Sequence, residues 1–187
     1  MLKLQHQKIE IQIFDDPMFS LNSVDHPHRY ANQHILSNDS HYSSKYGLRL
    51  FESDEEINSC LLVTSGGATG VHSQTAIVIR DSIFVAVGNL ICSLELPSFK
   101  LMWHQTVDFA TCFGVYYLPE SDCLISHGEV DISRVTLNGN VIWSASGKDI
   151  FTEGFEIKGK KIEVIDFNHE KYLIDIEDGK SILLPSS

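Results

Sequence analysis

Apolar residues along this chain come in short bursts of four to seven residues, each closed by Gly, Pro, Asn, Asp or Ser. No stretch sustains a period of about 3.6 residues, so helix is expected to be scarce. Residues 8–14 alternate, with Ile9, Ile11 and Ile13 on one face, and predict a half-buried strand. Ile83-Phe84-Val85-Ala86-Val87 is apolar throughout and predicts a strand covered on both faces, whereas Tyr172-Leu173-Ile174-Asp175-Ile176 alternates and predicts one drier face.

These bursts repeat. Trp103 and Trp143 lie 40 residues apart, and Gly88/Gly128, Ser93/Ser133, Gly114/Gly154, Ile125/Ile165 and Gly139/Gly179 keep the same offset without gaps. Asn138-Gly139 falls in register with Asp178-Gly179, and both dipeptides favour the centre of a two-residue hairpin. A repeat of about 40 residues made of short strands predicts an all-β, propeller-like array of four-stranded units. The strands A to D are expected at 75–79, 83–87, 91–96 and 101–105 in the first unit. They recur at 114–118, 123–126, 131–137 and 141–144, then at 154–157, 161–166, 172–176 and 181–184. The chain therefore reads as one domain with repeat units at 71–110, 111–150 and 151–187 behind a degenerate N-terminal unit, 1–70. Within that unit, 47–53 and 59–64 predict a hairpin around Asp54-Glu55-Glu56-Ile57-Asn58. Residues 15–44 predict a long irregular connection with at most one short strand at 34–37, a length of loop that is often functional.

The segments Ile132-Ser133-Arg134-Val135-Thr136-Leu137-Asn138-Gly139-Asn140-Val141-Ile142-Trp143 and Tyr172-Leu173-Ile174-Asp175-Ile176-Glu177-Asp178-Gly179-Lys180 resemble the repeat of quinoprotein-like (PQQ-type) propellers. The likeness runs from Val71 to the C-terminus and implies a fold shared by enzymes and assembly scaffolds alike. Enzymes of that family hold a quinone and a metal inside a many-bladed ring, and several carry an adjacent cysteine pair that is missing here. No cofactor-binding or catalytic residue is carried over, and no cofactor is expected. The Gly-Gly-Ala-Thr-Gly and Cys-Phe-Gly segments also resemble those of bacterial proteins, which implies no activity.

Charge narrows the choice of partner. Of 187 residues, 25 are acidic and 14 basic, a formal net charge of -11, which repels phosphate backbones and disfavours nucleic acid. No apolar run reaches membrane-spanning or signal-peptide length, and Cys60, Cys92, Cys112 and Cys123 show no Cys-x-x-Cys spacing. The expectation is a cytoplasmic protein with reduced, core-packed cysteines.

Three groups of residues are candidates for chemistry. Ser65-Gly66-Gly67-Ala68-Thr69-Gly70 lacks the lysine and following helix of a phosphate cradle, so it reads as a crossing between units. His26, His28, His34 and His41, with Asp25 and Asp39, match no zinc spacing, and no metal is expected. The D-to-A and B-to-C connections emerge on one face, which places Gly66, Gly67, Thr69, His72, Asp108, Thr111, His127, Glu129, Asp131, Asp149 and His169 together as binding candidates. Positions there differ between units, as Asp108 against Lys148 and His127 against Val87, which suits a site better than a scaffold.

The resulting expectation is a non-enzymatic module that holds a protein partner on this loop face, an inhibitor of a basic protein being one form of it. The alternative is a small hydrolase using His127 or His169 with Glu129 or Asp131 as acid/base groups. Three units and a partial fourth leave an apolar edge at Ile182 and Leu184, which predicts a homodimer unless strand 8–14 covers it.

Overall fold

The 40-residue period folds as predicted, each repeat forming one antiparallel four-stranded sheet in the computed structural model, which describes residues 1–20, 28–38, 41–67 and 69–185. The first repeat sheet contains β6 (Ala76–Ile79), β7 (Ser82–Val87), β8 (Leu90–Glu95) and β9 (Leu101–Thr106). The second contains β10 (Cys112–Leu118), β11 (Cys123–Gly128), β12 (Asp131–Thr136) and β13 (Val141–Ser146). The third contains β14 (Gly154–Lys158), β15 (Lys161–Ile165), β16 (Lys171–Asp175) and β17 (Ser181–Leu183). Strand order equals chain order in all three, and no helix occurs among the described residues.

The N-terminal unit is fuller than expected. It comprises β1 (Leu2–His6), β2 (Ile9–Asp15), β3 (Asn32–Ile35), β4 (Ser44–Glu52) and β5 (Glu55–Thr64) in the order β1-β2-β4-β5-β3. β1, β2, β4 and β5 are the four strands of a regular unit, and β3 is added outside, parallel to β5. The hairpin between β4 and β5 turns at Ser53-Asp54, both at positive φ, rather than over five residues. Glu55, Glu56 and Ile57 look like loop because this end of β5 runs past the core with both faces wet.

Apolar alternation decides how the sheets stack. Ile83, Val85 and Val87 of β7 pack towards the N-terminal sheet, with Ile11, Ile13, Leu48, Leu50 and Leu62. Phe84 and Ala86, pointing the other way, join Val115, Leu124 and Val135 of the second repeat. Ile125 and Ile132 then meet Ile162, Val164, Tyr172 and Ile174 of the third. Four sheets thus enclose three cores, and the uniformly apolar strand B supplies both sides, as its sequence predicts.

The repeat spacing has a direct cause. The Trp103 indole N–H donates to Leu137 O at 2.9 Å, and its ring lies over Gly139, where φ is +86°. Trp143 does the same one unit later, donating to Ile176 O at 3.0 Å above Gly179, with φ +74°. Each tryptophan covers the next unit's hairpin, so tryptophan and turn must recur together. A Cβ at either glycine would lie 2.7 Å from the indole. In the first repeat the position of Gly139 is held by Phe99, buried at φ +55°, and His34 of β3 donates to its carbonyl at 2.9 Å. The extra strand takes the tryptophan's place.

The described residues between β2 and β4 form, with β3, a cover rather than an open loop. Phe19, Tyr30 and Tyr42 pack on Leu61 and Val63 on the outer side of the N-terminal sheet. Buried Asp16 anchors this cover by accepting from the Tyr30 hydroxyl at 2.6 Å and from His28 Nδ1 at 3.1 Å.

Candidate functional site

The D-to-A and B-to-C connections do share one face, and there they are laced together by main-chain hydrogen bonds. Gly67 N donates to Ala110 O (2.7 Å), Cys112 N to Gly88 O (2.7 Å), Glu129 N to Thr111 O (2.8 Å) and Phe151 N to Glu129 O (2.6 Å). Each of these bonds ties a connection to another or to the first residue of a strand, so the face is a backbone belt.

The predicted candidates occupy that belt in different ways. Gly66 lies against Asn89 at φ +102°, and a Cβ on Gly67 would overlap the Thr111 hydroxyl, so both serve close passage between units. Ala68 lies outside the described residues; the Thr69 carbonyl accepts from the Tyr46 hydroxyl. Buried Asp108 receives the amides of Ala110 (2.6 Å) and Thr111 (2.9 Å) on one oxygen, and those of Val130 (2.8 Å) and Asp131 (2.7 Å) on the other. Burial raises its pKa against the pull of these four donors. Asp131 accepts from the Ser146 hydroxyl at 2.5 Å, Asp149 accepts from the Asn168 amide at 2.6 Å, and His169 occupies a turn at φ +61°.

His72 and His127 are committed to the scaffold. His72 Nδ1 accepts from Gln74 N at 3.2 Å, which leaves Nε2 to donate to Phe113 O at 2.7 Å and fixes the neutral tautomer. His127 donates to Phe151 O at 3.3 Å and stacks on Phe155 with ring centres 4.5 Å apart. Burial lowers its pKa to about 4. Among the described residues, neither His127 nor His169 shares a side-chain hydrogen bond with Glu129 or Asp131, the pairing a hydrolase would need. Of the histidine-rich segment, Asp25, His26 and Asp39 lie outside the described residues. His28 and His34 serve separate partners, and among the described residues no three His, Cys, Asp or Glu side chains are grouped to hold a metal. All four cysteines are buried and free; burial pushes the Cys60 thiol up to about 12.

A large concavity lies elsewhere. β1, β6, β10 and β14 are each the first strand of their sheet order, and their residues line a single cleft of about 950 Å³. Leu4, Ile77, Tyr116 and Ile157 give it apolar walls. Gln5 and Lys160 stand at its exposed margin. Arg134 reaches in from β12, donating Nη1 to Ile176 O at 2.9 Å and Glu177 O at 3.3 Å, while its buried Nε has no partner. Sequence periodicity points to core and loops but not to this cleft. Its walls come from four strands far apart in the chain, and none carries a motif.

These features define an all-β, propeller-like protein whose repeats resemble those of quinoprotein-like propellers. The chain is similar in structure to Kuenenia stuttgartiensis hydrazine synthase (TM-score 0.53, 11% identity, 74% of this chain and 43% of that one). It is likewise similar to BamB from Moraxella catarrhalis (0.51, 13%, 81% and 49%) and to the computationally designed Ika8 protein (0.51, 8%, 74% and 42%). The first two are β-propellers. This chain spans less than half the length of each, and at such identities the likeness is one of fold alone. No family model and no curated protein matches the sequence.

Proposed function

We propose that this chain is a non-enzymatic protein-interaction module that takes an extended segment of a partner into the cleft between its sheets. One observation carries the reading: four sheets turn their terminal strands, β1, β6, β10 and β14, towards one concavity. A terminal strand has one backbone edge without a sheet neighbour, and extended peptides add to such edges through main-chain hydrogen bonds. The cleft's volume lies within the usual range for ligand sites, roughly 300–1,000 Å³. The commitment of His72, His127 and Asp108 to backbone partners supports binding over catalysis.

The test is photo-crosslinking in the native host from probes placed at Gln5 and Lys160, with Lys171 on the outer face of the third sheet as control. Covalent capture of one protein segment from both cleft positions and not from the control is expected. Equal labelling from all three positions would rule out the cleft as the docking site. Turnover in a hydrolase screen, lost in His127→Ala, would overturn the non-enzymatic reading.

A further inference from the structure

We propose a second docking surface, on the loop face, in which Phe109 and Phe167 are paired anchors for a basic protein surface bearing apolar pockets. The proposal stands independently of the cleft. The two rings are among the most exposed large apolar side chains of the protein, at 86% and 60% accessible. Each directly follows one of the most buried carboxylates, Asp108 at 3% and Asp166 at 0%. The same device therefore occurs twice: an aspartate turned inward, a phenylalanine turned out.

The backbone explains why neither ring folds away. Asp108 gathers amides from both sides of the belt, so the loop carrying Phe109 is pinned at Ala110 and Thr111. Asp166 accepts from Asn168 N at 3.0 Å, Glu170 N at 2.9 Å and the Tyr172 hydroxyl at 3.0 Å. Phe167 N itself donates to Ile150 O at 2.8 Å. Rigid, solvent-facing aromatic rings lose little freedom on binding, which is what makes aromatic residues effective interface anchors.

Charge selects the partner. Among the described residues, the D-to-A and B-to-C connections of the repeats carry Asp108, Glu129, Asp149, Glu153, Asp166 and Glu170. Their one lysine or arginine is Lys148, which is paired with Glu170 at 3.2 Å. Asp108 and Asp166 are buried, so the accessible rim around the exposed rings is Glu129, Asp149, Glu153 and Glu170. It repels nucleic acid and anionic lipid and attracts lysine- or arginine-rich protein surfaces with apolar gaps.

The experiment is a titration of isotope-labelled protein, followed by amide chemical shifts, with three synthetic peptides of equal length: mixed Leu/Lys, mixed Leu/Glu and Lys alone. The Leu/Lys peptide is expected to bind in a salt-sensitive way and to move the amides of Ala110, Thr111, Asn168 and Glu170. The Leu/Glu peptide should not bind, and the Lys peptide should bind at least about tenfold more weakly. Phe109→Ala and Phe167→Ala should each weaken Leu/Lys binding about fivefold or more with melting temperature unchanged, as for anchor residues. Equal affinity of the Lys and Leu/Lys peptides, shifts confined to cleft residues such as Gln5 and Gln74, or indifference to both substitutions would each overturn the proposal.

Discussion

His127 is held in the seam between the second and third sheets, with one nitrogen donating to Phe151 O and its ring flat on Phe155. Burial keeps it neutral and lowers its pKa from 6.5 to about 4. The unfolded chain protonates this ring near pH 6.5 and the folded chain only near pH 4, so the unfolded state binds the extra proton between those values. The ring's contribution is therefore intact above pH 6.5 and is lost as pH falls towards 4, by at most about 3 kcal/mol. Urea unfolding across that window should show the decline, and His127→Phe should flatten it; an unchanged slope in the variant would refute the assignment. The sequence marks His127 as unusual because Val87 stands at the equivalent position. It does not reveal that the rings of Phe113 and Phe155 flank it. The paired Asp-Phe steps escape detection for a different reason: residues 108 and 166 do not share the 40-residue register.

At the scale of the element, covalent spacing and packing are the same fact seen twice. The tryptophan of one unit and the glycine turn of the next lie 36 residues apart in both Trp103–Gly139 and Trp143–Gly179, and the indole rests directly on the turn. Trp103→Ala should cost about 2–4 kcal/mol, because a large ring and its hydrogen bond to Leu137 are both lost. Gly139→Ala should cost about 1–3 kcal/mol, through the positive φ and the overlap with the ring. Together they should fall short of additivity by roughly 0.5 kcal/mol or more, since removing the indole removes the overlap. A strictly additive double variant in urea unfolding would separate the turn from the tryptophan. All twelve repeat strands were legible in the sequence, because turn residues and alternation recur in register. β1 and β3 were not so well served. The first is a short two-leucine alternation, and the second pairs parallel to a strand that the chain reaches only later, an arrangement no local pattern announces.

Across the whole molecule, the two sheets at the ends of the array meet water in a specific way. On the outer face of the third sheet, Lys158 bridges Glu156 (2.9 Å) and Glu163 (3.4 Å), Lys171 also reaches Glu163 (3.1 Å), and Lys161 pairs with Asp175 (2.7 Å). The outer face of the N-terminal sheet is shared between the aromatic cover and the pairs Lys3–Glu10 (2.9 Å) and Arg49–Glu56 (3.5 Å). β17 leaves Ile182 and Leu183 wet, at 59% and 39% exposed, and the N-terminal sheet leaves Ile35 and Ile57 wet, at 52% and 46%: scattered side chains rather than a face. A homodimer of this chain would have to form on these end surfaces rather than on one apolar edge. We propose that two arrays pair end to end. The surfaces they would join carry lysines and carboxylates. Such a seam is ionic, screened at high salt, and far weaker than the three apolar seams inside the chain. Light scattering at micromolar concentration is expected to give a dimer at low ionic strength that dissociates to monomer as salt is raised. A monomer at every salt concentration would eliminate end-to-end pairing. A dimer that survives high salt would place the contact on apolar surface, with Phe109 and Phe167 the first residues to substitute.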